Sequence, residues 1–347
     1  MAERVFYACQ AISVYGSSAE TTLPKYLAGI QSASLTSNSD FVQINQFGMI
    51  DVLQNLENNT TVECTIESAL LNNRRSLFDI FGKYAQSANH MYFSVYPDIT
   101  GIETNPYVDY TVSVPQTILL DAPYITSFSL NLSTDGFATE SVTLTTNSIR
   151  AKDNVDFGVA NSNGISTRYV QGSGFLRSDA YLRVSGHAAP WTDTSVGFDG
   201  NTKWSTGVYY DKLQSVSISL DVGREDLFKL GQKAPYYKAA QFPLETTLEY
   251  VIADNYANGG GMPSIDPVRL GANSGVYDMY GFKLHLFSNK HETDPTIEYR
   301  VENAVLTSQA KSGGDVGGGV STTTYSFSSY ALLDITYPAG NPSFPAP

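Results

Sequence analysis

Apolar and polar side chains alternate along most of this chain with a period of two. Val62, Cys64 and Ile66 fall on one side of an extended backbone and Glu63, Thr65 and Glu67 on the other, as a half-buried strand requires. Leu244, Thr246, Leu248 and Tyr250, set against Glu245, Thr247 and Glu249, read the same way. Further strands are expected over Val5–Val14, Gly29–Thr36, Met91–Val95, Val108–Leu119, Ser127–Leu132, Phe137–Thr145, Gln214–Leu220, Gly281–Phe287, Glu298–Gln309 and Ser321–Thr336, each bounded by turn-forming residues. One segment has another period: Leu77, Ile80, Phe81 and Tyr84 sit at helical spacing, with Asn72 and Asn73 offering a cap. A weaker counterpart is Asp266–Leu270, opened by Pro267. The expected class is mainly β with minor α.

The pattern also returns at long range, at an offset of about 182 residues. Ile30-Gln31-Ser32-Ala33-Ser34-Leu35 comes back as Leu213-Gln214-Ser215-Val216-Ser217-Ile218, and Phe47-Gly48 as Leu230-Gly231. Val62–Glu67 is echoed by Leu244–Glu249 after a one-residue slip, and Ile125-Thr126-Ser127 by Leu306-Thr307-Ser308. Thr139, Val142 and Leu144 match Thr322, Tyr325 and Phe327. Two tandem domains of one fold follow, 1–175 and 176–347, with the boundary set to within about 20 residues. Asn258–Gly261 and Ser312–Gly319 read as glycine-rich loops, the second as a hairpin tip, and Tyr337–Pro347 as an extended tail.

The formal net charge is −13, with −8 in residues 1–175 and −5 in 176–347, which argues against a chain that wraps nucleic acid through phosphate contacts. Cys9 and Cys64 are the only cysteines, so a disulfide framework is not expected. The start, Met1-Ala2-Glu3-Arg4-Val5, lacks a basic and then apolar signal, and no run reaches bilayer length; a soluble chain made in the cytoplasm is expected.

His90, His187, His285 and His291 form no ligand pair, and His285, on the polar side of its strand with Lys283, reads as a surface histidine. Glu63 and Glu67, like Glu245 and Glu249, share a solvated strand face rather than the two sides of a cleft. The glycine runs lack the Lys-Ser/Thr of a phosphate loop, and no nucleophile elbow occurs. The expectation is no catalytic, cofactor-binding or metal-binding residue, no cofactor and no enzymatic role.

In the second half, Leu213–Ile218, Arg224-Glu225-Asp226-Leu227-Phe228-Lys229-Leu230-Gly231, Ala234-Pro235-Tyr236-Tyr237-Lys238 and Phe242-Pro243-Leu244-Glu245-Thr246-Thr247 resemble tail tube (major tail) proteins of bacteriophages. Cys9–Val14, Ile44-Asn45-Gln46-Phe47-Gly48 and Leu56-Glu57-Asn58 are similar to the N-terminal portion of the same group, although Ile50-Asp51-Val52 stands where the second half has the Pro-Tyr-Tyr pattern. The resemblance implies two tandem tail-tube-like β-barrel or sandwich domains, each flanked by a helix. It implies a virion tail protein, assembled in the host cytoplasm, whose trimers form pseudo-sixfold rings stacked into a conduit for DNA. Its partners would be itself, laterally and axially, and tape measure, sheath, tail terminator and baseplate proteins. DNA would pass through without specific binding, and no membrane is involved. Two other readings stay open: a baseplate hub or tube initiator of the same fold, and a carbohydrate- or receptor-binding β-protein suggested by the 23 tyrosines.

Overall fold

The computed structural model describes residues 10–16, 25–45, 47, 52–84, 89–95, 116–152, 173–176, 180–185, 208–209, 213–227, 229–230, 237–240, 244–253, 280–288, 294–312 and 322–340. Within them the chain is mainly β with one short helix. Strand alternation decides this: in Thr139–Thr146 and in Thr322–Ser329 every second side chain is buried.

Three sheets form. The first runs β2 (Lys25–Tyr26), β1 (Gln10–Gly16), β5 (Asn89–Val95), β6 (Gln116–Leu120), β9 (Ile149–Lys152). The long sheet runs β11 (Val208–Tyr209), β10 (Ala180–Ser185), β16 (Tyr280–Leu286), β17 (Ile297–Ser312), β18 (Thr322–Ser329), β15 (Thr246–Ala253), β12 (Leu213–Asp221), β7 (Tyr124–Ser133), β8 (Thr139–Thr146), β4 (Val52–Ala69), β3 (Ile30–Asn45); β19 (Asp334–Thr336) adds to β17. A small hairpin pairs β13 (Arg224–Leu227) with β14 (Tyr237–Ala240).

The order β3-β4-β8-β7 recurs as β12-β15-β18-β17, and β2-β1-β5-β6-β9 recurs as β11-β10-β16-β17-β19, with β17 spanning the positions of both β6 and β7. Irregularities recur too. A bulge lies between Ile30 and Ser32 on β3 and between Leu213 and Ser215 on β12. Another lies between Ile125 and Ser127 on β7 and between Leu306 and Ser308 on β17. The bend that separates β6 from β7 holds Ala122 at φ 39°, and the bend within β17 holds Asn303 at φ 54°. A residue other than glycine in the left-handed region is uncommon, so the matched pair marks one corner built twice.

The registers correct one sequence correspondence. Cys64 pairs with Leu144 on β8, and Leu248 with Phe327 on β18, so Cys64 matches Leu248 and Val62 matches Thr246 rather than Leu244. Identical alternation two residues out of phase looks the same in sequence, and only the pairing fixes it.

Other expectations need adjustment. The helix α1 is only Leu77–Ile80, capped by Ser76 rather than Asn72 or Asn73, because the Ser76 hydroxyl accepts from the Phe78 amide at 3.3 Å. Ser321–Thr336 is two strands: β18 pairs with the outer half of β17, and β19 with Glu298–Arg300. Residues 337–340 form a turn, with Gly340 at φ 108°, rather than an extended tail. The second helix, the loop at 258–261, the tip at 313–319, residues 341–347 and the part of the first strand before Gln10 lie outside the described residues, as do Cys9, His187 and His291.

One apolar core joins both halves. Phe78 on α1 packs on Phe128 of β7 with ring centroids 5.0 Å apart, and Phe128 stacks on Tyr299 of β17 at 6.5 Å. Phe282 on β16 lies 4.6 Å from Phe327 on β18, and Tyr250 on β15 is 5.8 Å from the same ring.

Candidate assembly interface

Eight strands in sequence, β3-β4-β8-β7-β12-β15-β18 and the outer half of β17, form one continuous hydrogen-bonded run. Its inward side is the core. Its outward side is carpeted with Ser and Thr, such as Ser32, Ser34, Thr36, Thr65, Ser129, Ser217, Ser219 and Ser326, together with Glu63, Glu67, Asp221, Glu245 and Glu249. The carboxylates are exposed; the Ser32 hydroxyl donates to Glu67 at 3.2 Å and Ser326 to Glu249 at 3.1 Å. Among the described residues no Lys or Arg occupies an outward position on this run, so its field repels phosphate.

The run has a seam and two ends. At the seam β7 pairs antiparallel with β12, from Ser133 opposite Ser215 to Ser127 opposite Asp221. Among the described residues, β3 at one end pairs only with β4, and at the other Val305–Ser312 of β17 pairs with β18 and has no strand on its far side. β7 and β17 occupy the same place in their respective halves, as do β12 and β3. The seam therefore joins the two kinds of strand that the ends expose.

Among the described residues, two large apolar side chains are fully exposed. Phe47 and Leu230, at the tips of the β3–β4 hairpin and of the β13–β14 hairpin, are 105% and 106% exposed. They are the pair Phe47-Gly48 and Leu230-Gly231 picked out by the repeat, now seen as a shared protrusion.

Beneath the sheet lies a buried polar network that the sequence reading missed. Arg74 and Glu140 are both 0% exposed and 3.3 Å apart. Glu140 also accepts from the Ser76 hydroxyl, the Leu77 amide at 3.0 Å and the Tyr299 hydroxyl at 2.6 Å; Arg74 donates to Ala28 carbonyl at 2.8 Å and to Ser68. Burial lowers the Arg74 guanidinium, against Glu140, and raises the Tyr299 hydroxyl well above its ordinary value. The Tyr337 hydroxyl accepts from the Ser76 amide at 3.1 Å, tying the turn after β19 to the helix cap. The available signal was Glu140 on the apolar register of Ala138, Val142 and Leu144, a position where a carboxylate demands a partner.

His285 is not a surface histidine. It is buried, with Nε2 2.9 Å from Glu298, whose other oxygen lies 3.2 Å from Lys283. Burial raises the Glu298 carboxyl, but His285 and Lys283 outweigh it and hold the group below its ordinary value. His90 lies 3.1 Å from Asp121, which also binds Arg150 and accepts from Ser148 at 2.6 Å. Cys64 is free and buried, and burial pushes its thiol up to about 12. Among the described residues no group of three or more His, Cys, Asp or Glu could hold a metal ion, and no helix is long and apolar enough to cross a membrane.

Comparison with solved structures finds similarity to a chain of the sixfold-symmetrised anti-feeding prophage baseplate, at 11% identity and TM-score 0.30, over 46% of this chain and 92% of that one. The tube-terminating cap of the anti-feeding prophage is similar at 10% identity and TM-score 0.32, over 50% and 97%. An Hcp protein is similar at 10% identity and TM-score 0.24, over 47% and 94%. No protein-family model matches the chain, and no curated protein matches it.

Proposed function

We propose that this protein is a structural subunit of a phage-tail-type tube, built from two tandem domains, 1–175 and 176–347, that stand side by side as successive bricks of one ring. The observation that carries this reading is the seam: β7 and β12 already make, inside one chain, the joint that their counterparts β17 and β3 leave open at its ends. A heterologous contact that repeats head to tail and closes gives a ring, and open sheet edges are all satisfied only when it closes. Three chains then supply six equivalent bricks.

The bare outward face lines the bore. Its hydroxyl carpet and carboxylates offer DNA neither cationic anchors nor apolar stacking platforms, so the polymer slides. Phe47 and Leu230 project from the body of the brick, where a stacked ring would cover them. The protein acts without cofactor or catalytic residue, and its partners are itself and the tape measure, sheath, terminator and baseplate components of a tail assembled in the host cytoplasm.

Negative-stain microscopy of the purified chain tests the reading. Hollow, open-ended tubes of uniform bore are expected; single globules at high concentration would overturn it. Hundreds of copies per particle mark a tube subunit, whereas about one ring per particle marks a baseplate hub of the same fold. Glycan binding by a monomer that never polymerises would instead favour a receptor-binding protein.

A further inference from the structure

We infer that the outer half of β17 pairs antiparallel with β3 of a second copy of this chain, with Ala310 opposite Thr36 and Ser308 opposite Asn38. The inference rests on the tube reading and adds the partner strand and its register.

The seam is the template. It sets Ser129 opposite Ser219 and Ser127 opposite Asp221. The shared bulges tie Ser127 to Ser308, and hence Ser129 to Ala310. They likewise tie Ser215 to Ser32, and hence Ser219 to Thr36 and Asp221 to Asn38. Substituting each residue by its counterpart gives the stated pairs. All four are small and uncharged, so side chains directly across the joint meet without like-charge repulsion or crowding.

Register is constrained on both faces. Leu35 on β3 is packed against the core beside Cys64, while Ser34 and Thr36 are exposed. A slip of one residue relative to the neighbour would require β3 to turn its Leu35 side outward in order to keep pairing. β3 is also an unguarded edge: Ile30–Ser39 contains no Lys, Arg or Pro, the residues that natural edges use to prevent pairing. Pairing of β3 with β3 would close a dimer and leave both β17 edges unsatisfied, whereas head-to-tail pairing satisfies every edge once the ring closes.

The joint between chains differs from the seam on the core side. Phe128, buried under the seam, has Gln309 as its counterpart, and Gln309 donates to the Tyr325 hydroxyl at 3.3 Å. A half-polar joint can be wetted in the free chain and dried on docking, which suits a contact made only on assembly.

The test is disulfide trapping of assembled particles in a Cys9→Ser background carrying Ala310→Cys and Thr36→Cys, with copper phenanthroline as oxidant. The raised thiol of Cys64 keeps that buried group out of the reaction. Non-reducing gels are expected to show covalent dimers and trimers, with no ladder beyond three chains. The shifted pair Ala310→Cys with Ser34→Cys lies on the diagonal and is expected to link at least about tenfold more slowly. Tubes that form without linking the matched pair, or that link the shifted pair faster, overturn the register and leave the tube reading standing. A ladder running past three upholds the register and overturns the three-chain ring. A chain that neither assembles under the microscope nor cross-links overturns both.

Discussion

Where the half of the chain containing β5 and β6 places Tyr92, Ser94 and Thr117, the half containing β16 and β17 places Lys283, His285 and Glu298, at the same positions of the same strand pairs. The reverse exchange occurs one layer away. Glu140, cross-strand from Leu130 on β7 and paired with Arg74, has Thr323 as its counterpart, cross-strand from Lys311 on β17. Tyr299, which reaches Glu140, has Ile118. Strand order, bulges and corners agree between the halves, while buried charge does not. Backbone pairing depends on which positions are apolar in alternation, and this tolerates a polar residue wherever partners arrive with it. Each half therefore carries its ionic cluster where the other is neutral.

The largest break in this comparison should come from Glu140→Leu, which strands Arg74 in a dry site and is expected to cost about 3–5 kcal/mol. Thr323→Val, at the matching position, should cost about 1 kcal/mol or less. Urea denaturation of the two variants measures the contrast; the double change Arg74→Met with Glu140→Leu should recover much of the loss, and equal costs at 140 and 323 would contradict the assignment. Next comes Gly29→Ala. Gly29 has φ 82°, and an added Cβ would sit 2.7 Å from the Ala69 carbonyl oxygen, so about 1–3 kcal/mol is expected.

A smaller effect distinguishes the other cluster. The Glu298 carboxyl is held below its ordinary value of 4.5, so its stabilisation is present above that pH and is lost as pH falls through the lower folded value. Thermal melting between pH 5 and pH 3 should therefore steepen in the wild type relative to Glu298→Gln, while Thr117→Val should leave the acid limb unchanged. The smallest effect on folding belongs to Phe47→Ser and Leu230→Ser. Both residues are fully exposed, so each variant should stay within about 0.5 kcal/mol of the parent in urea. Sedimentation of the same variants should show shorter or absent polymers.

Much of this architecture was legible from alternation alone. Gln214–Leu220 falls inside β12, which buries one face and leaves the other more open, and Met91–Val95 falls inside β5. The pair Phe47 and Leu230 was visible as a repeat marker, but not as two hairpin tips, because the distal part of β4 and the strands β13 and β14 have mixed polarity. The helix shrank to one turn because Gly82, at φ 83°, and Lys83, at φ 54°, end it before Tyr84. His285 was misread for a general reason: a polar parity in a strand identifies the side away from the core, not the side open to water, and β16 is covered on both. Glu140 stayed hidden because its partners come from 74, 76, 77 and 299, separations that no local pattern reports.

Because β7 pairs with β12 along seven residue pairs, and Tyr299 and Tyr337 of the later half reach Glu140 and the helix cap of the earlier one, neither portion has a surface at which it can let go of the other cheaply. Melting one brick strips a neighbouring strand of its ladder and opens a dry ionic site. Heat should thus dissolve the molecule in a single calorimetric event, and a protease cutting between the halves should release no stable fragment. The molecule behaves mechanically as one stiff unit rather than as two beads on a string, so strain imposed at one end is felt at the other.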